Sequence, residues 1–412
     1  MERTALKNGA DVEKYGAKAE ASDATQSRQA GALQAIVLVF TTQLPIMGII
    51  SIVPIIPLLI QHFSAHPQVA MLIPLMIAAP SLCIAVLSPL AGFLADRVGR
   101  RRLLLIAVLL YSVFGFLPFV LDDLPTIIAT RFCLGVCEAF IMTIANTLMG
   151  DLFQAQTRKK WLAVQSAVGS VSATTLLFIA GMLGNYGWQG PFALYLLALP
   201  MFLLLLTCTW EPAPVVGQHS EASGARFPFK VMLGICAVTL FCALLYYVEV
   251  LQISSVLSLS GLDTPAKIGF ASGIAGIGVP IGALLFSLLS KRSLRLQLLI
   301  NFALFAVGLY GMGNLGGITA VVSSAFVAQI GCGLLIPTLL TWCLGQLAYE
   351  HRGKGIGVWH TAFFLGQFLS PFVISILTMR SAGGLLAAVS SLGVLAAIGA
   401  LITAMTLRRR TT

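Results

Sequence analysis

Three ionisable residues, Arg131, Glu138 and Glu249, sit inside long apolar runs of the chain. A charge at the centre of a bilayer-spanning helix costs about 2.5 to 3.5 kcal/mol even on the lenient insertion scale, so such residues mark ion or substrate pathways by default. Arg131 and Glu138 are seven residues apart. That is about two helical turns, or ~10 Å along one face, which puts them on one wall of a shared cavity. A carboxyl kept from water holds its proton more tightly, as a proton carrier must. Glu138 and Glu249, modulated by Arg131, are therefore the candidate proton-coupling groups.

Polar side chains accompany them at helical spacing. Cys242, Tyr246, Glu249 and Gln252 recur at intervals of four, three and three, which forms one stripe on a helix. Gln165 with Ser172, and His360 with Gln367, are both seven apart, and Gln43 lies beside the helix-bending Pro45. The substrate-binding candidates are Gln43, Arg131, Glu138, Gln165, Tyr246, Glu249, Gln252, His360 and Gln367. Such groups also tie helices together, at about 0.6 to 2 kcal/mol per hydrogen bond. Few polar positions among Phe, Met, Trp and Tyr suit a lipophilic or amphipathic organic substrate. No HExxH, GxSxG or P-loop pattern occurs, so no enzymatic centre and no cofactor is expected. The eight cysteines all fall inside apolar runs without a CxxC pair. They read as packing residues and not as metal ligands.

These residues need elements that a bilayer can hold. The chain of 412 residues is 58% hydrophobic and only 10% charged, against roughly 25% charged in soluble domains. Twelve apolar runs are long enough to span ~30 Å of hydrocarbon as helices, so the expected fold is an all-α integral membrane protein. Twenty-two of the 25 Lys and Arg fall on one side of that twelve-span topology, which the positive-inside rule assigns to the cytoplasm together with both termini. The net charge of +10 is thus topological, and nucleic acid drops out as a partner. Residues 1–32 read as a disordered cytoplasmic tail without a signal peptide. Six spans follow over residues 33–210, a Pro- and Gly-containing cytoplasmic linker over 211–230, six more spans over 231–407, and a tail over 408–412. A shift of 195 residues superimposes Gly150-Asp151-Leu152 on Gly345-Gln346-Leu347 and carries Arg97 to Arg292. It also carries the Gln165 and Ser172 pair onto His360 and Gln367. Two pseudo-symmetric six-helix bundles are therefore expected, with a site near the midplane between them.

The segment Gly92-Phe93-Leu94-Ala95-Asp96-Arg97-Val98-Gly99-Arg100-Arg101-Arg102 joins spans two and three through a very short turn. It resembles the signature loop of the major facilitator superfamily, Gly-x-x-x-Asp-Arg-x-Gly-Arg-Arg, at every fixed position, and the twelve spans and central linker extend that resemblance over the whole chain. The stretch from Arg131 through Gly135 resembles the family's Arg-x-x-x-Gly pattern on span four, which is linked with proton coupling. The resemblance implies alternating access by a functional monomer in a bacterial inner membrane, with a small-molecule substrate and protons as coupling ion. It makes Gly92, Asp96, Arg97, Gly99, Arg100 and Arg101 a gating loop. Asp96 would face the start of span eleven near Gly355 to Gly357 and hold the cytoplasmic side shut. Span one lacks the acid and span five the Gly-Pro element of many multidrug antiporters. Proton-driven efflux is the first expectation, proton-linked uptake of an organic anion attracted by Arg131 the second, and a transport-derived sensor a remote third.

Overall fold

The computed structural model describes residues 30–66, 68–211, 227–348 and 351–408. Most of the expected tail, 1–32, and of the expected linker, 211–230, lies outside the described residues. Among the described residues there is no strand, and twelve helical spans are long and apolar enough to cross a membrane. They are α1 (Ala32–His62, in pieces), α2 (Val69–Val98), α3 (Arg100–Phe116), α4 (Leu124–Leu152), α5 (Ala155–Gly184) and α6 (Gly190–Cys208). The second set is α7 (Phe229–Leu259), α8 (Pro265–Leu289), α9 (Leu294–Asn314), α10 (Ile318–Gly345), α11 (Arg352–Arg380) and α12 (Gly384–Arg408). A helix satisfies its own backbone polar groups, which is the condition for crossing hydrocarbon. The shift of 195 residues carries the start of each of α1 to α6 to within two residues of the start of its counterpart among α7 to α12.

The helices outrun the apolar stretches that mark them in the sequence. Arg158 and Lys160 stand on the first turns of α5, and Arg352 and Lys354 on those of α11, where a loop is expected. Long basic side chains at a helix end reach water beyond the hydrocarbon, so the helix continues where the apolar run stops. Only Gly99 separates α2 from α3, and its φ of +112° is a conformation that glycine adopts without strain.

α1 is the irregular element. Its α-helical pieces are Ala32–Thr41, Leu44–Ile50 and Ile56–His62, with a short 3-10 turn at Val53–Ile55. Pro45, Pro54 and Pro57 each remove a backbone donor. At the second break the Ile52 amide turns back to Ile49 O, 3.1 Å away, instead of continuing the α-helical ladder to Gly48 O.

The first six helices meet the last six mainly through α2 against α11 and α5 against α8. The Thr361 hydroxyl of α11 donates to Ala85 O of α2 at 3.0 Å. Far from the Lys/Arg-rich ends, α5 and α8 touch through glycine: a Cβ on Gly181 would lie 3.0 Å from Gly269 Cα, and one on Gly273 would lie 2.6 Å from the Phe178 ring. At the basic end the contacts lapse. Leu162 and Ser166 of α5 and Asn146 of α4 are exposed there, and Asn146 bonds Gln165 of its own set of helices. The seam between the two sets of helices is closed at one end and open at the basic end.

Candidate functional site

α4 is started by Asp123. Its carboxylate accepts from the Thr126 backbone N–H at 3.0 Å and the Thr126 hydroxyl at 2.5 Å. The side-chain bond first, then the backbone one, hold this carboxyl below the ordinary aspartate range. Counted from this cap, Arg131 lies two turns into the helix and Glu138 four. Both are fully buried.

The Arg131 guanidinium donates through Nη1 to the Tyr195 hydroxyl at 2.8 Å. It lies 4.9 Å from the Phe192 ring centroid and 5.1 Å from that of Tyr195, a cation–π arrangement. The Tyr195 hydroxyl in turn donates to Gly48 O at 2.9 Å, the carbonyl released by the break in α1. The neighbouring Tyr111 hydroxyl donates to Leu44 O at 2.5 Å. Glu138 lies against the other side of the same residue. Its carboxylate packs on Gly48 so closely that a Cβ there would collide with Oε1, and neither oxygen has a protein partner. Arg131 and Glu138 do share a face and converge on one residue, as their spacing predicts. Neither is exposed in this conformation, and the α1 residue Gly48 lies against Glu138 and accepts the Tyr195 hydroxyl that holds Arg131.

Glu249 is also fully buried. Its Oε2 accepts from Gln329 Nε2 at 2.7 Å and from the Cys332 thiol at 3.8 Å, while Oε1 has no partner. The expected stripe on α7 therefore divides. Glu249 turns towards α10, whereas Tyr246 packs with Tyr247 at 4.8 Å and Phe363 at 6.1 Å, and Gln252 is half-buried. Tyr247 lies within electrostatic reach of Glu138, which brings α7 to the buried acid of α4 across the seam.

The amides form a separate cluster. Gln43 Nε2 donates to Val39 O at 2.9 Å and to the Thr42 hydroxyl at 3.1 Å. Its unpartnered Oε1 faces α5, 3.2 Å from where a Cβ on Gly169 would stand. One turn away, Gln165 Nε2 donates to Asn146 Oδ1 at 3.2 Å. Gln367 is buried with a free Oε1, and half-buried His360 lies between the rings of Trp359 (5.1 Å) and Phe364 (6.2 Å). Gln165 and His360 occupy equivalent positions in the repeat yet have unlike surroundings.

The loop between α2 and α3 carries its own charge network. Asp96 Oδ1 accepts from Arg100 at 2.7 Å (Nη2) and 3.2 Å (Nε), and Arg100 also pairs with Asp151 at the end of α4. Arg97 lies 4.2 Å over the Phe93 ring, and Arg101 donates to Leu206 O at 2.7 Å. Gly92 brings α2 close to α4, where a Cβ would lie 3.7 Å from Thr143 Cγ2. Glu211, beyond α6, accepts from the backbone N–H groups of Arg100 (2.6 Å) and Arg101 (2.9 Å), an anion on the positive end of α3. With the basic end open, the partner of Asp96 is Arg100, and the expected contact with the start of α11 is not formed.

Several participants escaped the sequence reading: Tyr195, Gly48, Gln329, Cys332, Asn146 and Glu211. Gln329 and Cys332 carry a legible signal, two polar groups three apart in an apolar span. A cavity of about 720 Å³ between α8 and α10, lined by Phe270, Ile274 and Val322 among others, contains none of the expected site residues.

The family model described as Major Facilitator Superfamily matches residues 38–262, more than half of the chain. Multidrug resistance protein 1 of Bacillus subtilis (strain 168) is 25% identical over 349 residues, covering 79% of this chain and 85% of that protein. Among solved structures, an inward-facing, unoccupied bacterial homolog of the human lysosomal transporter Spinster superimposes with a TM-score of 0.73. It is 14% identical and covers 91% of this chain and 96% of that one. A D-xylose-proton symporter gives 0.71 at 16% identity, with coverage of 90% and 97%. At such identities the structures speak for the fold alone, and the fold and the family match agree: the chain belongs to the major facilitator superfamily of membrane transporters.

Proposed function

We propose that the protein couples proton movement to the export of a lipophilic or amphipathic small organic molecule by alternating access, with its basic end in the cytoplasm of a bacterial cell. The observation that carries the reading is Glu138, a fully buried carboxyl whose two oxygens have no protein partner, at the seam where α1, α4 and α7 meet. An unpaired charge in such a place is costly. The group is at rest there as the acid and gives up its proton when one side of the seam opens to water. Glu249 supplies a second buried carboxyl in the other set of helices, with Gln329 and Cys332 as its donors.

Export is supported by the resemblance to a multidrug resistance protein. It is also supported by the aromatic cluster of Tyr246, Tyr247 and Phe363, of which Tyr247 lies within electrostatic reach of Glu138. The burial of Arg131 weighs against uptake of an anion drawn to that residue. Purified protein in proteoliposomes, given an imposed pH gradient and a fluorescent lipophilic dye, tests the reading. Dye should move against the incoming protons, and Glu138→Gln should abolish the gradient-driven component while leaving downhill exchange. Gradient-driven transport undiminished in Glu138→Gln would overturn the proton role, and co-movement of dye and protons would overturn export.

A further inference from the structure

We infer that Tyr195 is a positioning residue for proton coupling: its hydroxyl joins Arg131 of α4 to Gly48 of α1 and thereby keeps the guanidinium away from the Glu138 carboxylate. The inference rests on Glu138 being the coupling group. Arg131 and Glu138 are a cation and an ionisable acid on one helix face, both fully buried, and both short of partners: Arg131 Nε and Nη2 and both Glu138 oxygens are unpaired. Two such groups in a dry site should close on one another. They form no ion pair; instead Tyr195 ties the guanidinium to the carbonyl of Gly48, whose α-carbon bears Glu138.

Three features fix the phenol in that role. The break in α1 leaves Gly48 O free, because the Ile52 amide bonds Ile49 O instead. The guanidinium is held to the phenol by the 2.8 Å bond and against the rings of Phe192 and Tyr195. The ring itself is fixed by Phe192, stacked at 6.3 Å, and by Tyr111 at 5.4 Å. The titratable groups facing Glu138 from the packed elements are Arg131 and Cys137 of α4, Cys83 of α2, Tyr111 of α3, Tyr195 of α6 and Tyr247 of α7. Arg131 is the one cation among them. Whatever governs the distance between Arg131 and Glu138 therefore governs how readily the acid ionises, and α1, the element that must move when the seam opens, is joined to that distance through Gly48.

Tyr195→Phe removes one oxygen and keeps the ring and its stacking. Freed from the phenol, Arg131 should approach Glu138 and favour its charged form. The pH midpoint of gradient-driven dye transport in proteoliposomes should fall by about one unit, while the KM for dye measured well above that midpoint stays within about twofold of the parent. Arg131→Lys, which keeps the charge but not the two-ring seat, should move the midpoint in the same direction and serves if Tyr195→Phe is not recovered folded. A midpoint unchanged in both variants overturns the inference, as does a loss of rate with no change in midpoint. Glu138→Gln in the same assay separates this failure from that of the proton reading. If it retains the gradient response, the coupling role itself is wrong; if it loses the response while Tyr195→Phe matches the parent, only the role of Tyr195 is.

Discussion

A buried acid is defined by what its oxygens touch, and the two acids here differ in that respect. Glu138 has only Gly48 and distant charges, whereas Glu249 has the amide of Gln329 and the thiol of Cys332. Gln329→Leu should therefore destabilise the protein by about 1 to 3 kcal/mol, since it leaves a buried acceptor unpaired. The double variant Gln329→Leu with Glu249→Leu should recover most of that loss, as paired buried polar groups often exchange for apolar ones at little cost. Thermal unfolding of the four proteins in lipid decides the matter, and a loss in the double variant equal to the sum of the two single losses would mean that the pair is not coupled. Arg131, Glu138 and Glu249 were legible in the sequence because a charge in an apolar run is anomalous wherever it points. Their partners were not. Tyr195 lies 64 residues from Arg131, and Gln329 lies 80 from Glu249, and neither is unusual in its own span. Only packing reveals which of many tolerable Tyr and Gln residues faces the charge.

Among the elements, the regular helices were legible and the irregular one was not. Apolar run length marks where a helix crosses hydrocarbon, so the centres of the spans agree with the sequence reading while basic ends such as Arg158 and Arg352 extend it. Pro45 announced a bend in α1, but the second break, the one that frees Gly48 O for Tyr195, depends on where the Ile52 amide turns. The start of α4 offers a test at this scale. Because the Asp123 carboxyl is held below its ordinary range by Thr126, the cap contributes stability at pH values above the unfolded aspartate pKa of about 3.9. That contribution is lost as pH falls through the lower folded value. Asp123→Ala should unfold at a lower temperature than the parent at pH 7, and the gap should shrink below pH ~4. A gap that is constant from pH 7 to pH 3 would show that the carboxylate does not cap the helix. The effect belongs to the end of α4, and transport should follow it only through helix stability.

At the scale of the whole molecule, the twelve spans and their repeat were readable because apolar run length and the 195-residue repeat act over the full length of the chain. Which end of the seam stands open was not, since one sequence supports both states of an alternating transporter and the gap between them is a few kcal/mol. Here the closed end is sealed by α5 on α8: Gly181 against Gly269, Phe178 against Gly273, and the Ala266 amide donating to Asn185 Oδ1 at 3.3 Å. If the halves rock about the seam, this seal must part in every cycle. Asn185→Cys with Ala266→Cys, in a background from which the eight native cysteines have been removed, converts the last of these contacts into a reversible tether. Oxidation should stop dye transport and reduction should restore it. Dye binding from the open, basic end should persist in the tethered protein, because nothing at that end is altered. Undiminished transport by the oxidised, cross-linked protein would mean that α5 and α8 need not separate. The route through the molecule would then have to bypass the seam on which Glu138, Gly48 and Tyr247 converge.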